Sequence, residues 1–437
     1  MKKSAKIALI TGACFLLVGL VLWGVSAGTD EFKRMAASGA GNSNIDSNRE
    51  ALGALLSEEM SEYSYMASGQ VSGLNITLQT RNVYVIPADV SSIEIKSTEN
   101  DESKLKASLE SGELKLEEEL KRNFVNISDF ISFDFTDKSA DRAVYIYLPK
   151  DTELESLKVD CSYGNITLRD FTADELVITG ESGDIDISGI PSKSAAIDSS
   201  FGDIVINKLT VEGRLFVAAS NGKISIKNSA LSQAGIESSF GSISLSEVSI
   251  SVGELSIDSS NGSVDIENVT GKDMHISTSF GDINIEDSSA GNITADSDNG
   301  NIEVDSVSAA AVKLTNSFGG IDVEDSFLAS LYAETDNGSV KIVGGDIASI
   351  DSKTSFGSIG ISSTSFESCI ANSQNGDVTL EKLAMSQNET SIKAKTASGS
   401  VSIGGERQAN SYEKTLSGAK VEIDAKTSFG DVIISFK

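Results

Sequence analysis

Ser199-Ser200-Phe201-Gly202-Asp203-Ile204-Val205-Ile206 is one copy of a short unit that recurs along most of the chain. Another copy reads Ser259-Ser260-Asn261-Gly262-Ser263-Val264-Asp265-Ile266. Most copies lie about 19 residues apart, and only the last two spacings, of 23 and 31, are longer. Such a short period is typical of a solenoid, in which each repeat contacts only its neighbours. The repeat glycines are Gly164, Gly183, Gly202, Gly222, Gly241, Gly262, Gly281, Gly300, Gly319, Gly338, Gly357, Gly376, Gly399 and Gly430.

Residues around each glycine alternate between apolar and polar. Ile or Val stands two residues after it, and Leu, Ile or Val four residues after it, in all fourteen copies. Apolar residues also dominate seven and five residues before it, as in Leu255 and Ile257. Period-two alternation indicates strands with one buried face. The sequence therefore predicts an all-β, single-stranded β-solenoid of about fourteen 19-residue repeats.

The glycine is predicted to lie at the bend between the two strands, because it adopts positive φ without steric cost. Ser and Thr before it and Asp, Asn or Ser after it favour turns. Three residues before it the side chain is small, usually Ser or Thr. We expect these hydroxyls to form an inward-facing ladder near the corner.

Phe and Asn alternate immediately before the glycine, from Phe201 and Asn221 to Phe356 and Asn375. The alternation leaves two coil sizes open. A 19-residue coil, which we favour, stacks each Phe over an Asn, whereas a 38-residue coil places them on opposite edges. We interpret the row as alternating core packing, and the alternative is a stripe of rings that stack on glycans.

The formal net charge is −29. This charge disfavours nucleic acids and anionic lipid surfaces, which bind to basic patches. Cations, basic proteins or peptides and neutral glycans are the compatible partners.

The three cysteines show no paired spacing. Cys14 lies in an apolar N-terminal run. Cys161 and Cys369 occupy inward slots of the repeat many coils apart, too far for a disulfide. All three are predicted to be unpaired.

Residues 1–27 predict a cytoplasmic lysine cluster and a membrane anchor. Lys2, Lys3 and Lys6 precede an uncharged apolar run from Ile7 to Ala27, long enough to span a bilayer with the N-terminus inside. Two alternatives are signal-peptide cleavage after Ala27 and lipidation of Cys14.

Residues 28–70 are interpreted as a spacer. Within it, Asn48–Met66 carries apolar residues at helical spacing and predicts a short helix that caps the stack. Residues 71–150 are assigned to an N-terminal β region of the solenoid, and residues 151–437 to the repeats. The final coil, Phe429–Lys437, would leave an open edge, which predicts end-to-end self-association.

The sequence resembles a bacterial adhesin-like family of β-strand-repeat envelope proteins, whose shared domain has no known function. Ala143-Val144-Tyr145-Ile146-Tyr147-Leu148-Pro149-Lys150, Ser162-Tyr163-Gly164-Asn165-Ile166-Thr167-Leu168 and the later glycine units carry the resemblance. It covers roughly residues 71–437. It implies an all-β ectodomain, sometimes membrane-anchored and sometimes linked to envelope stress, and it brings no ligand-binding residues.

Catalytic and metal sites are not expected. No arginine lies between Arg214 and Arg407, and the one histidine, His275, falls on the outer face of a strand. The aspartates recur with the repeat, which indicates turn chemistry rather than an acid–base pair. Calcium is a weak alternative, because oxygen ligands suit it, and it would use the aspartates that follow repeat glycines. These are Asp184, Asp203, Asp282, Asp377 and Asp431.

Together these features predict a membrane-anchored, extracytoplasmic binding or scaffold protein of the bacterial envelope, without enzymatic activity. A structural spacer or envelope-stress component without its own ligand is the alternative. A carbohydrate-active β-helix enzyme is a remote third possibility.

Overall fold

A computed structural model describes residues 60–121 and 142–437. The chain divides into two compact units. The first comprises Met1–Ser61, Asn100–Lys104 and Leu120–Lys138, and the second Glu62–Glu99, Leu105–Glu119 and Ser139–Lys437. In the described part of the first unit, the Asn100 side chain accepts hydrogen bonds from the backbone amides of Glu102 (3.2 Å) and Ser103 (2.9 Å).

The described residues form 37 strands and no α-helix, with a short 3-10 helix at Gln387–Glu389. The strands before the regular repeats are β1 (Ser61–Met66), β2 (Gly73–Leu78), β3 (Val83–Ala88), β4 (Glu94–Glu99), β5 (Ser103–Glu110), β6 (Glu113–Leu120) and β7 (Val144–Pro149). The strands of the regular repeats are β8 (Glu153–Tyr163), β9 (Ile166–Arg169), β10 (Thr172–Ser182), β11 (Ile185–Ser188), β12 (Pro191–Ser192), β13 (Ser194–Phe201), β14 (Ile204–Asn207), β15 (Thr210–Asn221), β16 (Ile224–Phe240), β17 (Ile243–Ile250), β18 (Glu254–Asn261), β19 (Val264–Thr270), β20 (Asp273–Phe280), β21 (Ile283–Glu286), β22 (Ser289–Asn299), β23 (Ile302–Asp305), β24 (Ser308–Phe318), β25 (Ile321–Glu324), β26 (Phe327–Asn337), β27 (Val340–Val343), β28 (Asp346–Phe356), β29 (Ile359–Ser362), β30 (Ser368–Asn375) and β31 (Val378–Leu383). The last strands are β32 (Thr390–Ser398), β33 (Val401–Ile403), β34 (Glu406–Gln408), β35 (Ser411–Lys414), β36 (Val421–Phe429) and β37 (Val432–Phe436).

Each regular coil contains about 19 residues and pairs in parallel with the next. Ile283 of β21 lies beside Ile302 of β23, and Phe280 of β20 beside Asn299 of β22. The 19-residue coil is therefore the one the chain adopts. The solenoid has about 12 turns that follow one another in chain order, from Gly164 to Gly376, whereas fourteen were predicted. The units at Gly430 and Gly399 stack beyond them in reversed order.

The core follows the predicted alternation. Every residue two positions after a repeat glycine, from Ile166 to Val432, is at most 1% exposed. The residues four positions after it are buried as well, as are Leu255 and Ile257 on the preceding strand. Because no coil can bury its apolar face alone, each depends on the coils stacked above and below it.

A second bend, six residues after each glycine, was not anticipated from the sequence. The residue there has positive φ in copy after copy, for example Asn228 (49°), Asp287 (47°) and Asp325 (42°). Asn and Asp tolerate this left-handed conformation better than most residues. The Asn, Asp, Gly and Ser residues that recur at this position are the signal that sequence reasoning missed.

The repeat glycines lie at the first bend and stack in a column. Eleven of the fourteen have φ between 131° and 156°. A Cβ built on Gly300 would lie 2.1 Å from the carbonyl oxygen of Gly281 in the preceding coil, and the other copies are equally close. No side chain fits such a gap, so glycine is needed both for its conformation and for its lack of a Cβ.

The small residues three positions before the glycine are buried, as predicted, and they bond to the glycine column. Thr335 Oγ1 donates to the Gly319 carbonyl oxygen at 3.0 Å, and Thr354 Oγ1 to that of Gly338 at 2.8 Å. Most of these hydroxyls bond the glycine carbonyl of a neighbouring coil, whereas Ser238 and Ser259 bond that of their own coil. The bonds satisfy most of the hydroxyls buried at this position.

The C-terminal coil is not an open edge, contrary to the prediction from Phe429–Lys437. Strands β36 and β37 lie between β30 and β31 on one side and β32 and β33 on the other. Strands β34 and β35 then pair antiparallel with β33 and β32. The chain thus skips one level, forms the outer coil, and returns to fill the gap. Short, charged edge strands such as β34 and β35 discourage further pairing.

The N-terminal end has the same arrangement. Strand β2 lies between β6 and β8, β3 lies between β7 and β9, and β4 pairs antiparallel with the outer strand β7. Arg81 occupies the level before Gly164 at the bottom of the glycine column, since a Cβ on Gly164 would lie 2.3 Å from the carbonyl oxygen of Arg81. The guanidinium of Arg81 is fully buried and bonds the carboxylate of Glu118 at 3.0 Å, and Arg142 bonds the same carboxylate at 3.3 Å.

The predicted capping helix over Asn48–Met66 is wrong where it can be compared, because Ser61–Met66 is strand β1. Tyr63 and Tyr65 alternate with exposed neighbours and pack against the core. The alternation of Tyr63 and Tyr65 with exposed residues, typical of a strand, therefore describes this segment better than the helical spacing of its apolar residues. The rest of the segment, and the anchor proposed over residues 1–27, lie outside the described residues. Within the described ranges, no helix has the length and apolar character needed to cross a membrane.

Replacing Gly300 by Ala tests the glycine column. We expect a loss of at least about 2 kcal/mol of local stability, because a strained positive φ alone costs roughly 1–3 kcal/mol and the Cβ would also meet a backbone oxygen. Gly360→Ala is the matched control, since nothing lies within 4 Å of a Cβ there. Amide hydrogen exchange of the neighbouring coils measures the difference, and equal protection in both variants would contradict the requirement.

Deleting residues 385–419 tests the closed C-terminal end. The deletion restores a 19-residue spacing between Gly376 and Gly430 but removes the covering strands β32–β35. We expect concentration-dependent self-association in size-exclusion chromatography, because β36 and β37 become a free edge. Adding Ile433→Lys should reverse it. A deleted protein that remains monomeric at every concentration would show that the cover is not needed.

Candidate binding surface

The Phe residues before the repeat glycines form one row, which we call the Phe stripe; all are exposed except Phe240, which is partly buried. It consists of Phe201, Phe240, Phe280, Phe318, Phe356 and Phe429. Phe280 is 57% exposed, Phe356 59% and Phe429 61%. The strand register places an Asn between each successive pair, so the rings lie two coils apart along one corner of the solenoid.

The expectation that this row packs in the core was wrong. The Phe position shares the parity of the inward residues seven, five and three positions before the glycine. That parity breaks at the bend: Thr278 is buried, yet Phe280, two residues later, faces solvent. The pairing of β20 with β22 aligns Thr278 with Ser297 and Phe280 with Asn299 but leaves the residues between them out of register. The chain has begun to turn there.

The Asn residues between the rings have a structural task. Asn299 Nδ2 donates to the Ser279 carbonyl oxygen of the preceding coil at 3.2 Å, and Asn261 and Asn375 repeat this bond at the same distance to Ser239 and Ser355. Each Asn thus ties its own bend to the coil before it.

Two shallow grooves of about 540 and 410 Å³ lie on the strand faces that lead into this corner. They adjoin one another at Ser277 and Ser279. Hydroxyl side chains line both, together with seven carboxylates and no basic side chain. The carboxylates belong to Asp198, Glu237, Asp258, Asp296, Asp298, Glu334 and Asp336.

The carboxylates that follow the repeat glycines serve the backbone. Asp184 Oδ1 accepts from the Asp203 amide at 2.9 Å, and Asp282 Oδ1 from the Asn301 amide at 2.7 Å. Asp203 and Asp377 repeat the pattern toward Lys223 and Asp431. This use explains their recurrence without calcium. Within residues 60–121 and 142–437, no group of three or more His, Cys, Asp or Glu side chains could hold a metal ion.

His275 and the two buried cysteines lie outside both grooves. His275 is exposed on the outer face of β20, as predicted. Cys161 and Cys369 are free and buried, also as predicted. Burial raises the pKa of each thiol to about 12, and nearby carboxylates add to the effect at both. Both cysteines are therefore protonated packing residues at neutral pH.

These features define a class: a parallel β-solenoid with closed ends and a periodic aromatic corner. The chain belongs to the Toastrack DUF4097 family, whose model matches residues 71–215, 213–290 and 281–435. The resemblance read from the sequence is thereby confirmed. A comparison with curated proteins finds no match.

Two solved structures show remote similarity. One is a "putative cell adhesion protein" from Clostridium sporogenes, with 10% identity over 87% of this chain and all of that one, and a TM-score of 0.17. The other is a "putative adhesin" from Bacteroides fragilis, with 13% identity over 70% of this chain and 97% of that one, and a TM-score of 0.24.

The buried thiols give a test of the core. In residues 28–437, which lack Cys14, we expect a thiol reagent at pH 8 to modify neither cysteine until denaturant is added, because only the thiolate reacts and both groups are buried. Rapid modification of the native protein would contradict the burial.

The same thiols predict a pH dependence of stability. Each pKa rises from 9.0 to about 12 on folding. Between these values the unfolded thiols lose protons that the native ones keep, so their contribution to stability falls as the pH rises. Denaturant titrations at pH 8 and pH 10.5 should show a larger fall for the native sequence than for the Cys161→Ala/Cys369→Ala variant.

Proposed function

We propose that this protein is a membrane-anchored, extracytoplasmic binding or scaffold protein of the bacterial envelope, and not an enzyme. The observation that carries the proposal is the exposed Phe stripe beside grooves lined by seven carboxylates. Single exposed apolar side chains need no explanation, but a row of rings that recurs at one interval along one corner favours a surface for repeated contacts. The apolar run Ile7–Ala27 and the lysines before it support the anchor and its orientation.

The binding mode that this surface supports is multivalent. The same side chains recur at every coil or every second coil, so a long ligand would meet many equivalent contacts. Linked weak contacts of this kind reach a high overall affinity. The net charge of −29 favours basic proteins or peptides, and cell-wall components are the other candidate partners. The attraction of basic partners to exposed carboxylates is screened by salt.

We propose that the protein has no enzymatic activity because its carboxylates serve the repeat rather than one special site. An acid–base pair needs two groups whose surroundings set their pKa values apart. Here the carboxylates repeat in equivalent surroundings, and those after the glycines accept backbone hydrogen bonds. A unique catalytic pair would break this periodicity.

The test is a pull-down of residues 28–437 against fractionated cell envelope, at low and high salt and with and without calcium. We expect saturable binding that weakens as salt rises. The groove variant Glu237→Gln/Asp298→Asn/Asp336→Asn should bind more weakly. Glu254→Gln/Glu286→Gln/Glu303→Gln removes the same charge outside the grooves and should bind normally.

Other outcomes have distinct meanings. Binding only with calcium would support the metal alternative. No binding under any condition would overturn the proposal in favour of a structural spacer or envelope-stress component. Release of reducing or unsaturated ends from envelope glycans would overturn the non-enzymatic assignment.

A further inference from the structure

We propose that the Phe stripe is a platform for an uncharged, extended β-1,4-linked glycan lying along the axis of the stack. This rests on the proposed binding function and names the class of ligand for one corner of the solenoid. It gives a role to a row of rings that the core does not use.

The rings are spaced at a regular axial interval. Neighbouring strands lie 4.7–4.9 Å apart, so rings two coils apart are separated by about 9.6 Å. The register keeps this interval from Phe201 through Phe240, Phe280 and Phe318 to Phe356, with an Asn at each intermediate level. Phe429 continues the row because β36 occupies the level above β30.

That interval is close to the length of one disaccharide in an extended β-1,4-linked glycan. Successive sugars in such a chain are rotated by about half a turn, so every second sugar presents the same C–H face. A ring at every second coil therefore meets equivalent sugars along the chain. Planar aromatic faces suit such apolar C–H surfaces, since they combine large contact area with few rotatable bonds.

The surroundings of the stripe match an uncharged, hydroxyl-rich ligand. Ser279 and Ser317 stand beside the rings, and the carboxylates of Asp298 and Asp336 lie at the equivalent position of the alternate coils. Hydroxyls and carboxylates accept hydrogen bonds from sugar hydroxyls. An anionic glycan would be repelled by the seven groove carboxylates, whereas a neutral one is not.

Two other occupants fit less well. A second copy of this chain would bring two surfaces of like charge together, since each copy carries −29. An extended peptide repeats its side chains on one face every two residues, about 6.6 Å, which does not match the ring interval.

The experiment measures binding of residues 28–437 to cellohexaose and chitohexaose by calorimetry, with maltohexaose as the curved α-linked control. The test variant is Phe280→Ala/Phe318→Ala/Phe356→Ala, which removes three consecutive exposed rings. Phe327→Ala is the matched control, because Phe327 is 62% exposed but lies off the stripe. Circular dichroism verifies that every variant is folded.

We expect binding to a β-1,4 hexasaccharide that persists in high salt and is weaker for maltohexaose. The triple variant should bind at least about tenfold more weakly, since each aromatic contact contributes roughly twofold to tenfold. Phe327→Ala should bind like the unmodified protein.

Three results would overturn the inference. One is equal glycan binding by the triple variant and the unmodified protein. Another is no binding to either β-1,4 hexasaccharide. If envelope fractions then still bind in a salt-sensitive way, the proposed binding function stands without the glycan. If envelope fractions do not bind either, the glycan inference and the proposed function are both refuted. The third is salt-sensitive binding of a cationic peptide that the triple variant loses, which would assign the stripe to peptides.

Discussion

The close stacking of backbone at the glycine bend is the constraint on which the rest of the structure depends. The Gly281 carbonyl oxygen lies so close beneath Gly300 that a Cβ there would be 2.1 Å away. This contact fixes the level of each coil against the last and brings the hydroxyl of Thr278, Thr335 or Thr354 within reach of a glycine carbonyl. Parallel register, buried strands and the Phe stripe all follow from coils held at one level at this corner.

Strand positions and burial could be predicted because they follow period-two alternation, which is local. Ile283 and Ile285 show it without reference to the rest of the chain. The exposure of Phe280 could not be predicted, since the alternation suggests an inward side chain and only the bend turns it outward. The closed ends were also hidden, because the insertion of β36 between β30 and β32 depends on pairing between residues distant in sequence. Tyr63 and Tyr65 could have revealed β1 had the shorter period been weighed.

The polar side chains divide between internal and external tasks according to their place in the repeat. In most copies the side-chain oxygen after the glycine bonds the next coil, as Asp282 does for Asn301, and a hydroxyl three residues before the glycine bonds a glycine carbonyl. Residues two and four positions before the glycine face the grooves, as Asp298 and Asp296 do. Sequence drift at these outward positions leaves the stack intact. A surface of this kind can change its chemistry while the scaffold stays constant.

The alternation of Phe and Asn also constrains how such a gene can lengthen or shorten. Duplicating or deleting a single coil would place two rings or two amides on adjacent levels and interrupt both the two-coil spacing of the rings and their alternation with the amides. Duplicating a pair of coils preserves both. The heritable unit of this protein is therefore two coils, and lineages that keep the stripe should differ in length by even numbers of coils.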